Sequence, residues 1–238
     1  MTRPLREAKP EKSQRSRRRG VVNASQPSAE PFRGLRLMLE LRESHRQGNV
    51  IVFTSANPGE GKSTIAASYA LVAAINHPSV LLVDADLRRP TLHEIFNTSR
   101  SPGLVEVVLG QAPTSASHRV SGLGNLDLLT AGSQVASGGD FMSSKRLHDF
   151  VESAAENYDL VVIDTPPILA AADAATIATS TGADVVVVVD RHTRRRSVTR
   201  ALRELELVRA NVLGVVMNRE GSLSRYGYGY AYGQGYGA

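Results

Sequence analysis

Two groups of residues in the sequence have the types and spacings needed for phosphate chemistry. The first is Ala56-Asn-Pro-Gly-Glu-Gly-Lys-Ser63. Backbone N–H groups along Pro58, Gly59, Glu60 and Gly61 can converge on phosphate oxygens because the glycines permit a tight concave loop, and a helix starting there adds its partial positive charge. Lys62 is placed to reach the β- and γ-phosphates and the Ser63 hydroxyl to ligate Mg²⁺. The first position is Ala56 rather than the glycine of the strict motif. The second group is acidic. Leu81-Leu-Val-Asp84-Ala-Asp86 and Leu160-Val-Val-Ile-Asp164 each end an apolar run in carboxylates. Asp164 has the character of a Walker B carboxylate that holds Mg²⁺ directly or through water, or else of a simple turn cap. Asp84 and Asp86, two residues apart at a strand end, can point the same way. One then binds the metal while the other faces an incoming hydroxyl, or both act as metal or water ligands. Hydrolysis needs only a positioned water, whereas transfer to a protein hydroxyl benefits from a carboxylate that accepts its proton.

Placing those groups together requires a particular scaffold. The run Asn49–Thr54 precedes the glycine loop and an Ala-rich helix to about Ile75 follows it. Further buried-strand candidates are Val80–Val83, Leu126–Leu129, Leu160–Ile163, Val185–Val189 and Val212–Val216, short aliphatic runs without strict alternation. Such runs, separated by helical or loop sequence, fit parallel strands covered on both sides. The expected fold is therefore α/β: a doubly wound, mainly parallel sheet with helices on both faces, of the P-loop NTPase type. From Glu30 to about Gln47, Phe32, Leu35, Met38 and Leu39 have helical spacing, with Pro31 suited to the first turn.

Composition sets limits. The chain has 238 residues and no cysteine, which excludes a disulfide framework, a thiolate nucleophile and Cys-ligated zinc or iron–sulfur sites. The net charge of +5 is unevenly placed: residues 1–20 hold eight of the 28 basic residues but two of the 23 acidic ones, leaving 20 basic and 21 acidic beyond them. Residues 1–29 are expected to be a disordered basic arm, 30–221 the P-loop domain, and 222–238 a flexible Tyr/Gly-rich tail. The arm lacks aromatic interleaving and a groove-reading helix, so no nucleic-acid partner is expected; anionic lipid suits it better. No run approaches the length of a spanning helix. A basic stretch, Arg191, Arg194, Arg195, Arg196, Arg200 and Arg203, begins another helix and reads as a solvated face or as a site for an acidic membrane surface or a polyanionic tail.

The phosphate loop Ala56–Thr64, the segment Leu82-Val-Asp-Ala-Asp-Leu-Arg-Arg-Pro90, the segment Val162-Ile-Asp-Thr-Pro-Pro167 and the terminal tyrosine cluster together resemble the cytoplasmic kinase domain of the bacterial tyrosine kinases that govern capsule and exopolysaccharide assembly. Glu30-Pro-Phe-Arg33-Gly-Leu-Arg36 is similar to that family's Glu-x-x-Arg-x-x-Arg helix, which joins subunits into a ring. The resemblance covers roughly seven-eighths of the chain, from Glu30 onward. It implies ATP and Mg²⁺ as cofactors, with Lys62 on the phosphates, Ser63, Asp86 and Asp164 holding Mg²⁺, and Asp84 as the base that activates the acceptor. Thr64 is expected near the α-phosphate, and Asn218 near adenine or simply in a turn. The acceptors implied are Tyr226, Tyr228, Tyr230, Tyr232 and Tyr236 in the tail of a neighbouring subunit. The implied setting is a homo-oligomeric ring at the inner face of the cell membrane, cytoplasmic and peripheral, with a separate transmembrane activator, a polysaccharide co-polymerase, and a cognate tyrosine phosphatase. Where relatives show Pro-Pro-Asn-Pro after Ala131-Gly132, this chain has Ser133-Gln-Val-Ala, which leaves that loop's role open. The rival readings are a MinD/ParA-like positioning ATPase, against which stands Asn57 at the signature-lysine position, and a nucleotide-dependent scaffold without kinase activity.

Overall fold

Short runs of Val, Ile and Leu that are apolar on both faces can be satisfied only between two layers of helix, and the sheet is built in this way. In the computed structural model, residues 21–22, 24, 26–43, 48–120 and 124–219 are described. Seven strands, β1 (Val50–Ser55), β2 (Val80–Asp84), β3 (His118–Arg119), β4 (Leu126–Leu129), β5 (Leu160–Asp164), β6 (Asp184–Asp190) and β7 (Asn211–Asn218), form one sheet in the order β3-β4-β2-β5-β1-β6-β7. Every neighbouring pair is parallel except β3 with β4. The α-helices among the described residues are α1 (Glu30–Glu43), α2 (Lys62–Ala73), α3 (Leu92–Phe96), α4 (Leu104–Val108), α5 (Gly138–Met142), α6 (Lys145–Asn157), α7 (Asp173–Thr181) and α8 (Arg195–Leu207).

One face of the sheet packs Val52, Val83, Ile163 and Val187 against α4 to α8, and the other packs Phe53, Leu82, Val162 and Val188 against α1, α2 and α3. The doubly wound parallel sheet expected from the sequence is the one observed. The two-residue antiparallel β3 was not foreseen, since His118-Arg119 has neither length nor apolar character. Between Val185 and Val186 the pairing with β7 slips by one residue, and at the far end of β7 Asn218 bonds to the glycine loop.

Two boundaries differ from expectation. The chain is packed before residue 30: Ala24 and Ala29 are buried with Val72, Pro27–Ala29 form a turn of 3₁₀ helix, and the Val22 N–H donates to Ser68 Oγ at 3.4 Å. Composition misplaced the start of order because small apolar residues, too few to signal a core of their own, fill gaps on α2. Residues 1–20 of the expected arm and 222–238 of the expected tail lie outside the described residues. On α1, Leu39 is buried and Phe32 and Leu35 partly so, but Met38 is 69% exposed, so the apolar face is narrower than the spacing implied.

Glu106 ties the segment that begins at Ser133 to the turn before α4. Its Oε1 accepts from Ser101 Oγ and the Ser133 N–H, both at 2.9 Å, and its Oε2 accepts from the Gly103 N–H at 2.8 Å. Burial opposes its charge, yet these donors prevail and hold the carboxyl down at about 2. A carboxylate held low lends stability above its ordinary pKa near 4.5, and that stability is lost as pH falls toward about 2. Glu106→Gln is expected to cost about 1–3 kcal/mol at pH 7. Urea midpoints of wild type and variant should converge between pH 4.5 and 2, and parallel pH profiles would contradict the clamp.

Candidate active site

The glycine loop lies between the C-terminal end of β1 and the start of α2. Gly59 and Gly61 have φ values of +82° and +88°, in the left-handed region that glycine tolerates. At Gly61 a side chain is excluded twice over, because a Cβ there would run into the Asn218 amide. Asn218 donates from Nδ2 to the Glu60 carbonyl at 3.0 Å and so closes one wall of the loop.

Glu60 holds the loop's shape from inside. Its side chain accepts from the Asn57 N–H and Nδ2, each at 2.9 Å, and from Thr193 Oγ1 at 2.6 Å. Asn57 is thereby committed within the loop. The Glu60 carboxylate is thus committed to holding the loop's shape. The Thr193 link, from the turn after β6, was invisible in the sequence because 133 residues separate the partners.

Lys62 is the centre of the charge arrangement. Only 8% exposed, its Nζ lies 2.8 Å from Asp86 Oδ2, 3.4 Å from Asp164 Oδ1 and 3.1 Å from Ser63 Oγ. Burial works against its charge, but Asp164, Asp86 and Asp84 outweigh it and raise its pKa. Neither buried oxygen of Asp164 makes a well-formed hydrogen bond, Oδ1 being faced only by the Lys62 ammonium at 3.4 Å. Burial raises its pKa despite Lys62. A buried, under-satisfied carboxylate beside a serine hydroxyl and a second acid is the donor set of a hard divalent cation, so Mg²⁺ fits Ser63, Asp86 and Asp164.

Asp84 and Asp86 take separate tasks. Asp86 Oδ1 accepts the Arg89 N–H at 3.0 Å and turns Oδ2 to Lys62. Asp84 is fully buried; its Oδ1 accepts the Asp86 N–H at 3.2 Å and its Oδ2 the N–H groups of Thr91 and Leu92 at 3.1 and 3.0 Å. It therefore anchors the start of α3, a duty the i, i+2 spacing did not announce. Burial, then the charge of Asp164, pushes its carboxyl up to about 8. Parallel register sets Asp84 directly beside Asp164. Ser63 and Thr64 are both half-buried on the first turn of α2. Pro58 and Gly59 are exposed at the loop's tip.

Residues 46–226 match the ParA family, described as the NUBPL iron-transfer P-loop NTPases. The tyrosine-protein kinase YwqD of Bacillus subtilis is 35% identical over 215 residues, which cover 88% of this chain and 91% of YwqD. The chain is a member of the bacterial tyrosine kinases. The tyrosine-protein kinase etk of Escherichia coli is 31% identical over 198 residues, 83% of this chain but 27% of that protein. The solved kinase domain of E. coli ETK superposes with a TM-score of 0.76 at 29% identity, covering 91% of this chain and 84% of that one. The chimerical protein CapA2B2 gives the same TM-score at 34% identity, covering 82% and 86%. In this kinase Lys62, Asp84, Asp86 and Asp164 gather beside the glycine loop, at the C-terminal ends of β1, β2 and β5.

The other residues singled out from the sequence fall elsewhere. Glu30, Arg33 and Arg36 lie on α1, where Arg33 pairs with Glu30 and donates to the Ala24 carbonyl, while Arg36 pairs with Glu40. Leu37, Met38 and Leu41 are exposed on the same helix. Tyr226, Tyr228, Tyr230, Tyr232 and Tyr236 lie outside the described residues. No helix among the described residues is long and apolar enough to cross a membrane.

Proposed function

We propose that this kinase binds Mg·ATP at the glycine loop and transfers the γ-phosphoryl group to tyrosines in the C-terminal cluster of a neighbouring copy. The observation that carries the reading is Lys62 held between Asp86 and Asp164, with Asp84 at the adjoining strand end, all beside the loop. Backbone N–H groups and Lys62 bind the phosphates, with Thr64 near the α-phosphate and Asn218 on the adenine side. Bound Mg²⁺ supplies charge neutralisation, held by Ser63, Asp86 and Asp164. Asp84 takes the proton from the acceptor phenol as its oxygen attacks phosphorus and the P–O bond to ADP breaks. Asn57, bonded to Glu60, is not free to act as a lysine-like contact to phosphate, which weighs against a positioning ATPase.

The test mixes two chains. A Lys62→Met chain with an intact tail is incubated with Mg·ATP and a chain ending at residue 221. Phosphotyrosine on the Lys62→Met tail is the expected result. Its absence, with ATP bound by the shortened chain, would defeat transfer between copies, and absence in the intact wild type as well would defeat the kinase reading.

The Glu30–Arg36 helix is the proposed ring contact, extended by the exposed Leu37, Met38 and Leu41. The Glu30–Arg33 pair is solvent-exposed and worth only tenths of a kcal/mol within one chain. Arg33→Ala with Arg36→Ala is accordingly expected to lower stability by about 1 kcal/mol or less while collapsing the assembly to its subunits by light scattering. An unchanged mass would overturn the contact. On the family resemblance, the role proposed for this activity is the control of extracellular polysaccharide synthesis and export. With it come a transmembrane activator that places the kinase at the inner membrane face and a tyrosine phosphatase that resets it.

A further inference from the structure

Helix α8 carries its charge against its own dipole. Arg194 is the N-cap, Arg195 and Arg196 open the helix, and no acidic residue lies in its first turn. Positive charge at a helix N-terminus is unfavourable, so the fold gains nothing from this arrangement. Arg195, Arg196, Thr199, Arg200 and Arg203 line an open concavity of about 580 Å³. All five are exposed, and among the described residues Arg195, Arg196 and Arg203 have no ion-pair partner; Arg200 has an exposed contact with Glu204 at 3.5 Å. The inner face of the helix, through Ala201 and Leu205, is what the core uses.

The last described residue before the C-terminal segment lies near the start of this surface. Strand β7 ends at Asn218, and the next residue, Arg219, reaches Oδ2 of Asp190 at 3.2 Å, at the end of β6 just before the turn that leads into α8. From Arg219 to Tyr226 is seven residues, a reach of up to about 25 Å. Arg195 and Arg203 lie only about 12 Å apart along the helix. The segment Tyr226-Gly-Tyr-Gly-Tyr-Ala-Tyr232 places a tyrosine at every second position. In an extended chain such residues share a side at intervals of about 6.7 Å. Arg196 and Arg200, four residues apart, repeat at about 6 Å, with Arg203 about 4.5 Å further on along the same side.

We propose that the arginine row of α8 binds the phosphorylated tyrosine cluster of the same chain. The inference rests on the tail being the phosphoacceptor, as argued above. Each phosphotyrosine brings about −1.5 to −2 charges and three acceptor oxygens, which arginine engages through paired N–H donors. Two or three successive phosphates then lie along Arg196, Arg200 and Arg203, and a modified tail is retained on its own subunit rather than returned to a neighbour's active site. An anionic membrane would meet a flat field of charge equally well, but it would make no use of the matched spacing or of the tail's exit beside α8.

The test uses the full chain after treatment with a tyrosine phosphatase, titrated with a fluorescent peptide of residues 222–238 phosphorylated at Tyr228, Tyr230 and Tyr232. Binding is expected to be at least tenfold tighter than for the unphosphorylated peptide. It should weaken at least tenfold in Arg196→Gln/Arg200→Gln/Arg203→Gln, whose ATP binding and circular dichroism stay as in wild type because the three side chains are exposed. Full chain first phosphorylated with Mg·ATP, its tail tyrosines verified by mass spectrometry, should bind added peptide at least tenfold more weakly, its own tail filling the site. Equal binding by wild type and variant, by the two peptides, or by the verified phosphorylated and dephosphorylated chains would overturn the proposal. So would vesicles of phosphatidylserine and phosphatidylcholine whose binding is lost in the variant while peptide binding persists. Failure of Mg·ATP to label any tail tyrosine would instead strike the kinase reading, since the synthetic peptide reads the α8 surface independently of it.

Discussion

Lys62→Met is expected to reduce tyrosine phosphorylation by at least about 10³-fold, a loss of roughly 4 kcal/mol of transition-state stabilisation. Two consequences of one side chain combine. Lys62 is the cation between Asp86 and Asp164, so its removal takes away the positive charge that would follow the migrating phosphoryl group. It also leaves three neighbouring carboxylates facing one another. The second effect has a signature that a purely catalytic role lacks. Asp84 is already held up at about 8, and without the ammonium group its pKa rises further. A carboxyl raised in the folded state destabilises the fold as pH climbs from its ordinary value near 4 through its folded value. In metal-free solution both proteins should therefore lose stability as pH climbs from about 4 toward 8, and the variant should go on losing it above about pH 8, where the wild-type carboxyl is already ionised; Mg²⁺ should restore part of it. Urea melts at about pH 7 and about pH 9, with and without Mg²⁺, read this directly. A variant keeping more than a tenth of wild-type transfer would remove Lys62 from the chemistry.

What could be read from the residues, and what could not, follows the range of the interactions. Strands β1, β2, β4, β5, β6 and β7 were legible because burial between two helical layers demands unbroken aliphatic runs, a local signal. The glycine loop was legible because close approach of backbone to phosphate restricts residue type at fixed spacing. Glu106 and Thr193 were not. Each acts on a partner set by how loops meet in space, and a glutamate at the first turn of a five-residue helix looks like any other solvated acid. The packed stretch from Val21 to Ala29 was hidden for a related reason: Ala24 and Ala29 bury well but contribute little hydrophobic signal. Asp84 was found by its position and only partly understood. Spacing located the carboxylate at the strand end, but its three backbone donors come from Asp86, Thr91 and Leu92, which only the turn into α3 brings round.

That double engagement makes Asp84→Asn the most discriminating substitution at the site. The asparagine can keep its oxygen toward Thr91 and Leu92 but must then aim its NH₂ at the Asp86 N–H, losing one hydrogen bond at about 1–2 kcal/mol and leaving the fold intact. What it cannot do is accept a proton. A general base is worth about 10²–10⁴-fold, so phosphotyrosine formation should fall within that range. ATP binding should hold, and so should the slow hydrolysis of ATP, because attack by water needs positioning more than a protein base. Asp86→Asn should behave differently, weakening the Mg²⁺ dependence of both transfer and hydrolysis. The comparison separates two jobs proposed for neighbouring carboxylates of one turn. If Asp84 only anchors α3, Asp84→Asn will cost stability but less than tenfold in transfer, and hydrolysis and transfer will decline together. A transfer defect of 10² or more against unchanged hydrolysis leaves proton acceptance as the remaining explanation, since anchoring acts on both reactions alike.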